Sequence, residues 1–404
     1  LEYLFAAGLL AGAVQVLFGL LRLGVLVRFV SSSVRTGFVN ALAMLIFSAQ
    51  LPHLRGASAA TWAMFALGLV LIYGLPRLGA WLGWRALTAI PSPLICVLAL
   101  SVLASAWGLG LPTVADLGQL PDTLPLFGLP EVPLSLQTLH IIALPALAIA
   151  MVGLLESVLT AAVVDELTDT PSNKNRECSG LGLANIAASC FGGIAGCGMI
   201  GQAVGNVKYG GRGRLSTLFA GVFLLILMVL LKPWMAQVPV IALVAIMVMV
   251  SAETFDWKSL RAVVRHPRLS SAAMLATVAV TLASHNLAAG VAVGVLLSGV
   301  FFAVKVSQML EVRCTDDDLA GTRVWQVSGQ VFFASADAFV EAFDVLGAEH
   351  RHVTIDVAHA HFWDITAVGA LDKVVQRLRH HGCTVEVLGL NTASAVLMER
   401  AGAR

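Results

Sequence analysis

In the stretch GLLESVLTAAVV, residues 153–164, one carboxylic acid stands in an otherwise apolar run: Glu156, with the hydroxyl of Thr160 four residues on. On a helix these two positions share a face. An acid in hydrocarbon costs about 2.5–3.5 kcal/mol on insertion scales derived for Asp, so Glu156 is expected to face a cavity or a partner rather than lipid. An acid and a hydroxyl aimed together into a cavity make a site for a proton or a small cation. The plainer alternative is a packing hydrogen bond between helices. A second stretch, CFGGIAGCGMIGQAVGNVKYGG at 190–211, holds five glycines within ten residues (Gly192, Gly193, Gly196, Gly198 and Gly201). It predicts a helix that breaks and restarts near Cys197. A half-helix that begins at mid-membrane offers unbonded N–H donors and a positive dipole end, which bind an anion without any basic side chain. Small-residue helix packing of the GxxxG kind, seen also at Gly8/Gly12 and Gly290/Gly294, is the competing explanation. Gln202 and Asn206 favour a polar cavity.

The elements that must position these residues are membrane helices. Of the 404 residues 58% are hydrophobic and 12% charged, against about 45–50% and 25% in soluble domains. The lipid bilayer is the expected environment. Net charge is +1 with the bases scattered, so nucleic acid is not an expected partner. The six cysteines (Cys96, Cys178, Cys190, Cys197, Cys314 and Cys383) form no CxxC pair. They give neither a metal site nor a disulfide framework, and read as small apolar packers. The opening LEYLFAAGLLAGAVQVLFGLL lacks an initiator Met, a basic flank and a cleavage site, so it reads as a span rather than a signal peptide, and the N-terminus of the natural chain is expected to lie further upstream.

With about 20 apolar residues needed per crossing, eleven spans are expected, at 4–21, 34–50, 59–76, 92–110, 137–163, 180–193, 197–208, 214–231, 238–252, 270–285 and 288–306. Fifteen Lys and Arg residues fall in one set of alternate connections, while the other set holds Arg55 and Lys232 alone. By the positive-inside rule the basic side is cytoplasmic. Residues 307–320 read as a linker. From 321 to 404 the strands RVWQVSGQVFFA, HVTIDVAH and CTVEVLGL alternate with helical patterns such as DITAVGALDKVVQRLRHH, which predicts a small cytoplasmic α/β domain with a largely parallel sheet.

Taken in order, GLLRLGVLVRFVSSSVRTGF, VVDELTDTPSNKNRECSGLGLANIAASCFGG and NVKYGGRGRLS resemble the sulfate permease (SulP) family of anion transporters, and the C-terminal region is similar to a STAS domain. The resemblance covers essentially the whole chain. It implies an α-helical polytopic fold of two inverted seven-segment repeats, with the anion held between the starts of half-helices three and ten. The eleven spans correspond to family segments four to fourteen, so the transport domain is placed at 1–306. Glu156 matches the acidic position of segment eight and Thr160 the hydroxyl one turn later. Gly196, Cys197 and Gly198 match the start of segment ten. Where sodium-coupled members place a Thr, this chain has Ile200, and the basic residue of motor-type members has no counterpart here. In the STAS domain Ile365 and Thr366 follow Asp364 where a phosphate-accepting Ser stands in soluble relatives. His359 and His361 read as solvated surface.

The expected activity is therefore secondary active transport of a small anion across the cell inner membrane, with no enzyme activity, metal or other cofactor. Sulfate, bicarbonate or a dicarboxylate such as fumarate would be held by Gly196, Cys197, Gly198, Met199, Ile200 and Gln202. Glu156 and Thr160 would couple it to a proton. The resemblance further implies an elevator-type movement and a homodimer. The alternatives are sodium coupling, or a channel-like or non-transporting anion binder.

Overall fold

The computed structural model describes residues 1–24, 30–83, 90–118, 124–133, 135–265, 268–317, 322–343 and 352–401. Arg28, Arg85, residues 25–29 of the first family-like motif and residues 318–320 of the expected linker lie outside them. Two compact units are present, Leu1–Val295 and Leu296–Arg404.

The helices in chain order are α1 (Glu2–Leu20), α2 (Ser32–Leu54), α3 (Ala59–Leu82), α4 (Ser92–Ala106), α5 (Val114–Leu117), α6 (Leu136–Thr168), α7 (Lys174–Cys190), α8 (Ile200–Lys208), α9 (Arg214–Val229), α10 (Lys232–Ala236), α11 (Val240–Thr254), α12 (Trp257–Arg265), α13 (Arg268–Ser284) and α14 (Leu287–Ser307). A helix falls within each of the eleven expected stretches. Five of them (α1, α2, α3, α6 and α14) are long and apolar enough to cross a membrane, and α4, α9, α11 and α13 are shorter apolar helices. Several starts are written locally: Ser31, Ser58 and Ser135 each accept the amide of the residue three positions on, which satisfies one orphan donor of α2, α3 and α6. The short α5 carries a capping box. There the Thr113 backbone N–H, and then its hydroxyl, hold the Asp116 carboxyl below the usual carboxylate range.

Two groups of helices form within the first unit. In one, α1 packs on α6 and α7, and α8 packs on α6. The α1–α7 contact is made close by glycine. A Cβ on Gly182 would lie 2.5 Å from the Gly12 carbonyl oxygen and 2.6 Å from the Val16 nitrogen, whereas one on Gly180 would meet nothing within 4 Å. Gly182→Ala should therefore destabilise by about 1–3 kcal/mol through forced separation of the two helices. Gly180→Ala should be neutral or slightly stabilising. Thermal unfolding of the two variants in detergent checks the contrast.

In the other group α2 packs on α11 and α13, and α3 on α4 and α11. Met64, Ile72, Leu100 and Val244 lie in its apolar core. Asn40, buried in α2, donates to Ser259 Oγ at 2.7 Å and accepts from the Asp256 amide at 2.9 Å, which fixes the turn from α11 into α12. The two groups meet at a small apolar cluster of Val34 and Phe38 from α2, Leu155 from α6 and Val291 from α14.

The second unit carries one four-stranded sheet in the order β1–β2–β3–β4. Its strands are β1 (Glu311–Asp317), β2 (Thr322–Val331), β3 (His352–Phe362) and β4 (Thr384–Leu388), with helices α15 (Ala336–Glu341), α16 (Ile365–His380) and α17 (Thr392–Ala401). The β2–β3 and β3–β4 pairs are parallel, as the strand–helix alternation predicts. β1 is an addition: it pairs antiparallel with β2 inside the stretch expected to be a linker. Phe339, Ile355, Leu371 and Leu378 fill the core beneath the sheet. Asp364 caps α16 through the Ala367 amide and also accepts the Phe333 amide at 2.8 Å. Ile365 and Thr366 are exposed, as are His359 and His361, the latter 2.8 Å from Asn391.

Candidate functional site

Between Ile141 and Val164 Glu156 is the one ionisable side chain on α6. Leu154, Leu155, Val158 and Leu159 around it are buried, and Glu156 itself is only 8% exposed. The stripe formed by Gly153, Glu156, Ser157 and Thr160 faces the non-helical backbone that leads into α8. Gly153 makes the approach possible: a Cβ there would sit 2.9 Å from Gln15 Nε2 and 3.8 Å from the Gly196 carbonyl oxygen.

The break itself begins at Gly192, whose φ of 70° lies in the left-handed region that glycine enters without a Cβ penalty. The Gly193 amide turns back to the Ala188 carbonyl at 2.8 Å and closes α7. Helix resumes at Ile200, three residues later than the sequence predicts, with Met199 as its cap and no side-chain cap bond. Gly196, Cys197 and Gly198 are thus not the first turn of α8 but the backbone leading into it. Backbone that leaves a helix needs other partners for its N–H and C=O groups, and side chains supply them here. The Gly198 amide donates to Ser157 Oγ at 2.8 Å, and Thr160 Oγ1 donates to the Gly198 carbonyl at 2.6 Å. Asn185 grips the peptide groups of Gly196 on both sides. Its Oδ1 accepts the Gly196 amide at 2.8 Å, and its Nδ2 donates to the Gly196 carbonyl at 3.1 Å and to Gln15 Oε1 at 2.8 Å. Gln15, fully buried in α1, passes on to the Ala150 carbonyl of α6 at 3.4 Å.

Cys197 connects this backbone to the acid: its Sγ–H donates to Glu156 Oε2 at 3.0 Å. Cys197 is exposed, so the expectation of six apolar packers holds for Cys96, Cys178 and Cys383 but fails here, because a thiol beside a carboxylate has a donor's role. The expectation for Thr160 also changes, since its hydroxyl is directed to the Gly198 carbonyl. Gln202 is exposed on α8. Asn206, read as part of a polar cavity, instead accepts the Ser216 hydroxyl of α9 at 2.6 Å. The sequence reading misses Gln15, Ser157 and Asn185. Their signal is present, since two amides inside apolar spans are costly unless partnered.

A buried acid bonded to the non-helical backbone ahead of a helix without a side-chain cap, between packed apolar helices, is the broken-helix arrangement that membrane transporters use. The chain belongs to the sulfate permease family: the family model of that description matches residues 1–62 and 54–277, and the STAS domain model matches 311–404. It is 46% identical over 400 residues to YbaR of Bacillus subtilis (strain 168), described as a candidate sulfate transporter, covering 99% of this chain and 81% of the relative. It is 24% identical over 421 residues to the bicarbonate transporter BicA of Synechocystis, covering 95% and 73% respectively. Among solved structures its fold is similar to that of SLC26A9, with TM-score 0.80, 16% identity, 99% of this chain and 71% of that one. The similarity to the transmembrane domain of a cyanobacterial BicA has TM-score 0.59, 23% identity, 74% of this chain and 76% of that one. The chain is thus a multi-pass membrane protein of an anion transporter family with a C-terminal STAS domain.

Proposed function

We propose that the chain is a proton-coupled symporter of a small anion. The observation that carries this reading is the hydrogen bond from Cys197 to Glu156, which ties a buried acid to the backbone entering α8. An anion bound at the α8 start, within about 6 Å of Glu156, is repelled by an ionised carboxylate by about 3 kcal/mol at an effective dielectric of about 20. A proton on Glu156 removes that repulsion, so proton and anion favour each other's binding by about a hundredfold. By linkage the favoured states are both bound or neither, which is the requirement of symport.

Movement then follows an elevator scheme in this reading. The helices α1, α6, α7 and α8 carry the site, and α2 and α13 form the wall it slides against. The apolar contact of Leu155 with Val34 and Phe38 suits sliding, because it has no directional bonds to break. The basic side is cytoplasmic, and the STAS domain lies there.

Sulfate and bicarbonate are substrate candidates from the names of the relatives. Fumarate joins them because Met199 and Ile200, at the cap and first residue of α8, place apolar side chains where a carbon skeleton would pack. Sodium coupling is the second reading: a cation that displaced the Thr160-to-Gly198 hydrogen bond would find a hydroxyl and a carbonyl oxygen there, one helical turn from Glu156. Carboxylate, hydroxyl and carbonyl oxygens are the ligands a small hard cation takes, although Ile200 contributes none. Uptake of labelled sulfate, bicarbonate and fumarate into proteoliposomes, with a proton or a sodium gradient imposed separately, tests the proposal. Concentrative uptake driven by protons is expected, and accumulation that follows sodium alone would transfer the assignment to the second reading.

A further inference from the structure

A cavity of about 150 Å³ lies among the starts of α2 and α13 and the amphipathic helix α12, away from Glu156. Its floor is hydrogen-bonded within the protein: Ser259 bonds Asn40 and the Asp256 carbonyl, and Ser271 donates to the Val263 carbonyl at 2.9 Å. Its walls are the opposite. The hydroxyls of Ser33, Thr36 and Ser270 line it and have no hydrogen-bond partner among the described residues. Lys258 and Asp256 also line it; Asp256 Oδ1 accepts the Lys258 amide at 3.0 Å at the start of α12, so Oδ2 is the oxygen left to a ligand. Lys258 makes no ion pair among the described residues, although Asp256 is two positions away. A cation, an anion and three hydroxyls without partners among the described residues, around one half-open space, are complementary to a zwitterion.

The surroundings identify its source. On α12 Trp257 is 62% and Leu260 54% exposed, while Lys258 and Arg261 are exposed on the same short helix. A helix that pairs Trp and Leu with bases lies along a membrane interface. Arg35, Lys258, Arg261 and Arg268 place that interface on the basic side of the protein. We infer that the cavity binds the headgroup of an aminolipid with the chemistry of phosphatidylethanolamine. Its phosphate accepts from Lys258 and the hydroxyls of Ser33, Thr36 and Ser270, and its ammonium donates to Asp256. A choline headgroup has no N–H to give Asp256. A phosphatidylglycerol headgroup leaves that carboxylate facing an uncompensated negative charge. The inference rests on the membrane orientation given above but not on the coupling assigned to Glu156.

The test is the thermal unfolding midpoint of the delipidated full-length protein in detergent, titrated with phosphatidylethanolamine, phosphatidylcholine and phosphatidylglycerol of identical acyl chains. Soluble phosphoethanolamine and inorganic phosphate are titrated in parallel. Phosphatidylethanolamine should raise the midpoint at concentrations roughly tenfold or more below the other two lipids, the scale of a lost charge-assisted hydrogen bond. Lys258→Gln and Ser33→Ala should each remove that preference, and Ser48→Ala, at the far end of α2, should leave it intact. Should Lys258→Gln fail to fold, Ser33→Ala decides alone, because its partnerless hydroxyl is not part of the folded framework. Equal shifts from all three lipids, or a preference unchanged by Ser33→Ala, would overturn the inference. A full shift from soluble phosphoethanolamine would overturn the lipid as source.

Discussion

Glu156→Gln should abolish proton-driven accumulation while leaving anion binding and anion exchange in place. With the membrane potential clamped, a pH difference of about one unit supports up to about tenfold accumulation per coupled proton, because one unit is worth 1.36 kcal/mol. The Gln side chain keeps the shape and the Cys197 contact of a protonated Glu but has no proton to exchange, so the pH difference should drive no net uptake. Counterflow of labelled anion against unlabelled anion should persist, since Gln mimics the anion-accepting form. The pair of assays separates a coupling residue from a structural one: if Glu156 only packed helices, exchange and accumulation would fall together, along with thermal stability. A Glu156→Gln protein that still accumulates anion about tenfold would remove Glu156 from the coupling.

Asn185→Ala should be the most damaging change outside the acid itself. Interhelical hydrogen bonds in membranes average only about 0.6 kcal/mol by double-mutant cycles, because an unfolded chain in lipid finds other partners. The Asn185 bonds differ in kind. Removing the side chain leaves the fully buried Gln15 Oε1 without its donor, which costs about 1–3 kcal/mol, and frees the more exposed Gly196 amide and carbonyl from the groups that hold them. The backbone ahead of α8 should then lose its fixed position, which raises the KM for the anion by about tenfold or more and lowers the unfolding midpoint. Uptake kinetics in proteoliposomes check the first effect and thermal unfolding the second. A midpoint that falls with KM unchanged would reduce Asn185 to a packing role.

The contrast between Glu156 and Asn185 shows what the sequence carries and what it withholds. Glu156 is conspicuous because its neighbours are uniformly apolar, and membrane insertion makes that local contrast expensive. Spans and their basic-side connections are local signals too, so all eleven helices and the parallel α/β unit follow from composition and periodicity. The polar clamp is not local. Asn185 meets Gln15 across 170 positions and Cys197 meets Glu156 across 41, and no period in the chain records such pairs. Ser157 looks like any hydroxyl in a membrane helix until the Gly198 amide is found on it. The restart of α8 at Ile200 rather than near Cys197 has the same origin: glycines announce that a helix breaks, while the side chains that satisfy the freed backbone decide where it resumes. β1 escapes notice because EVRCTDD is short and polar, as edge strands often are. α12 escapes because a nine-residue helix with two bases among its first five residues is too short and too polar to read as a span.

The most direct test of proton coupling needs no imposed proton gradient. Proteoliposomes holding the full-length protein and an internal pH indicator, with the membrane potential clamped, receive labelled sulfate or fumarate on the outside. Symport predicts that the interior acidifies as the label enters, in fixed proportion to it, and that Glu156→Gln vesicles show neither net entry nor acidification. Entry of label with no change in internal pH would contradict the account.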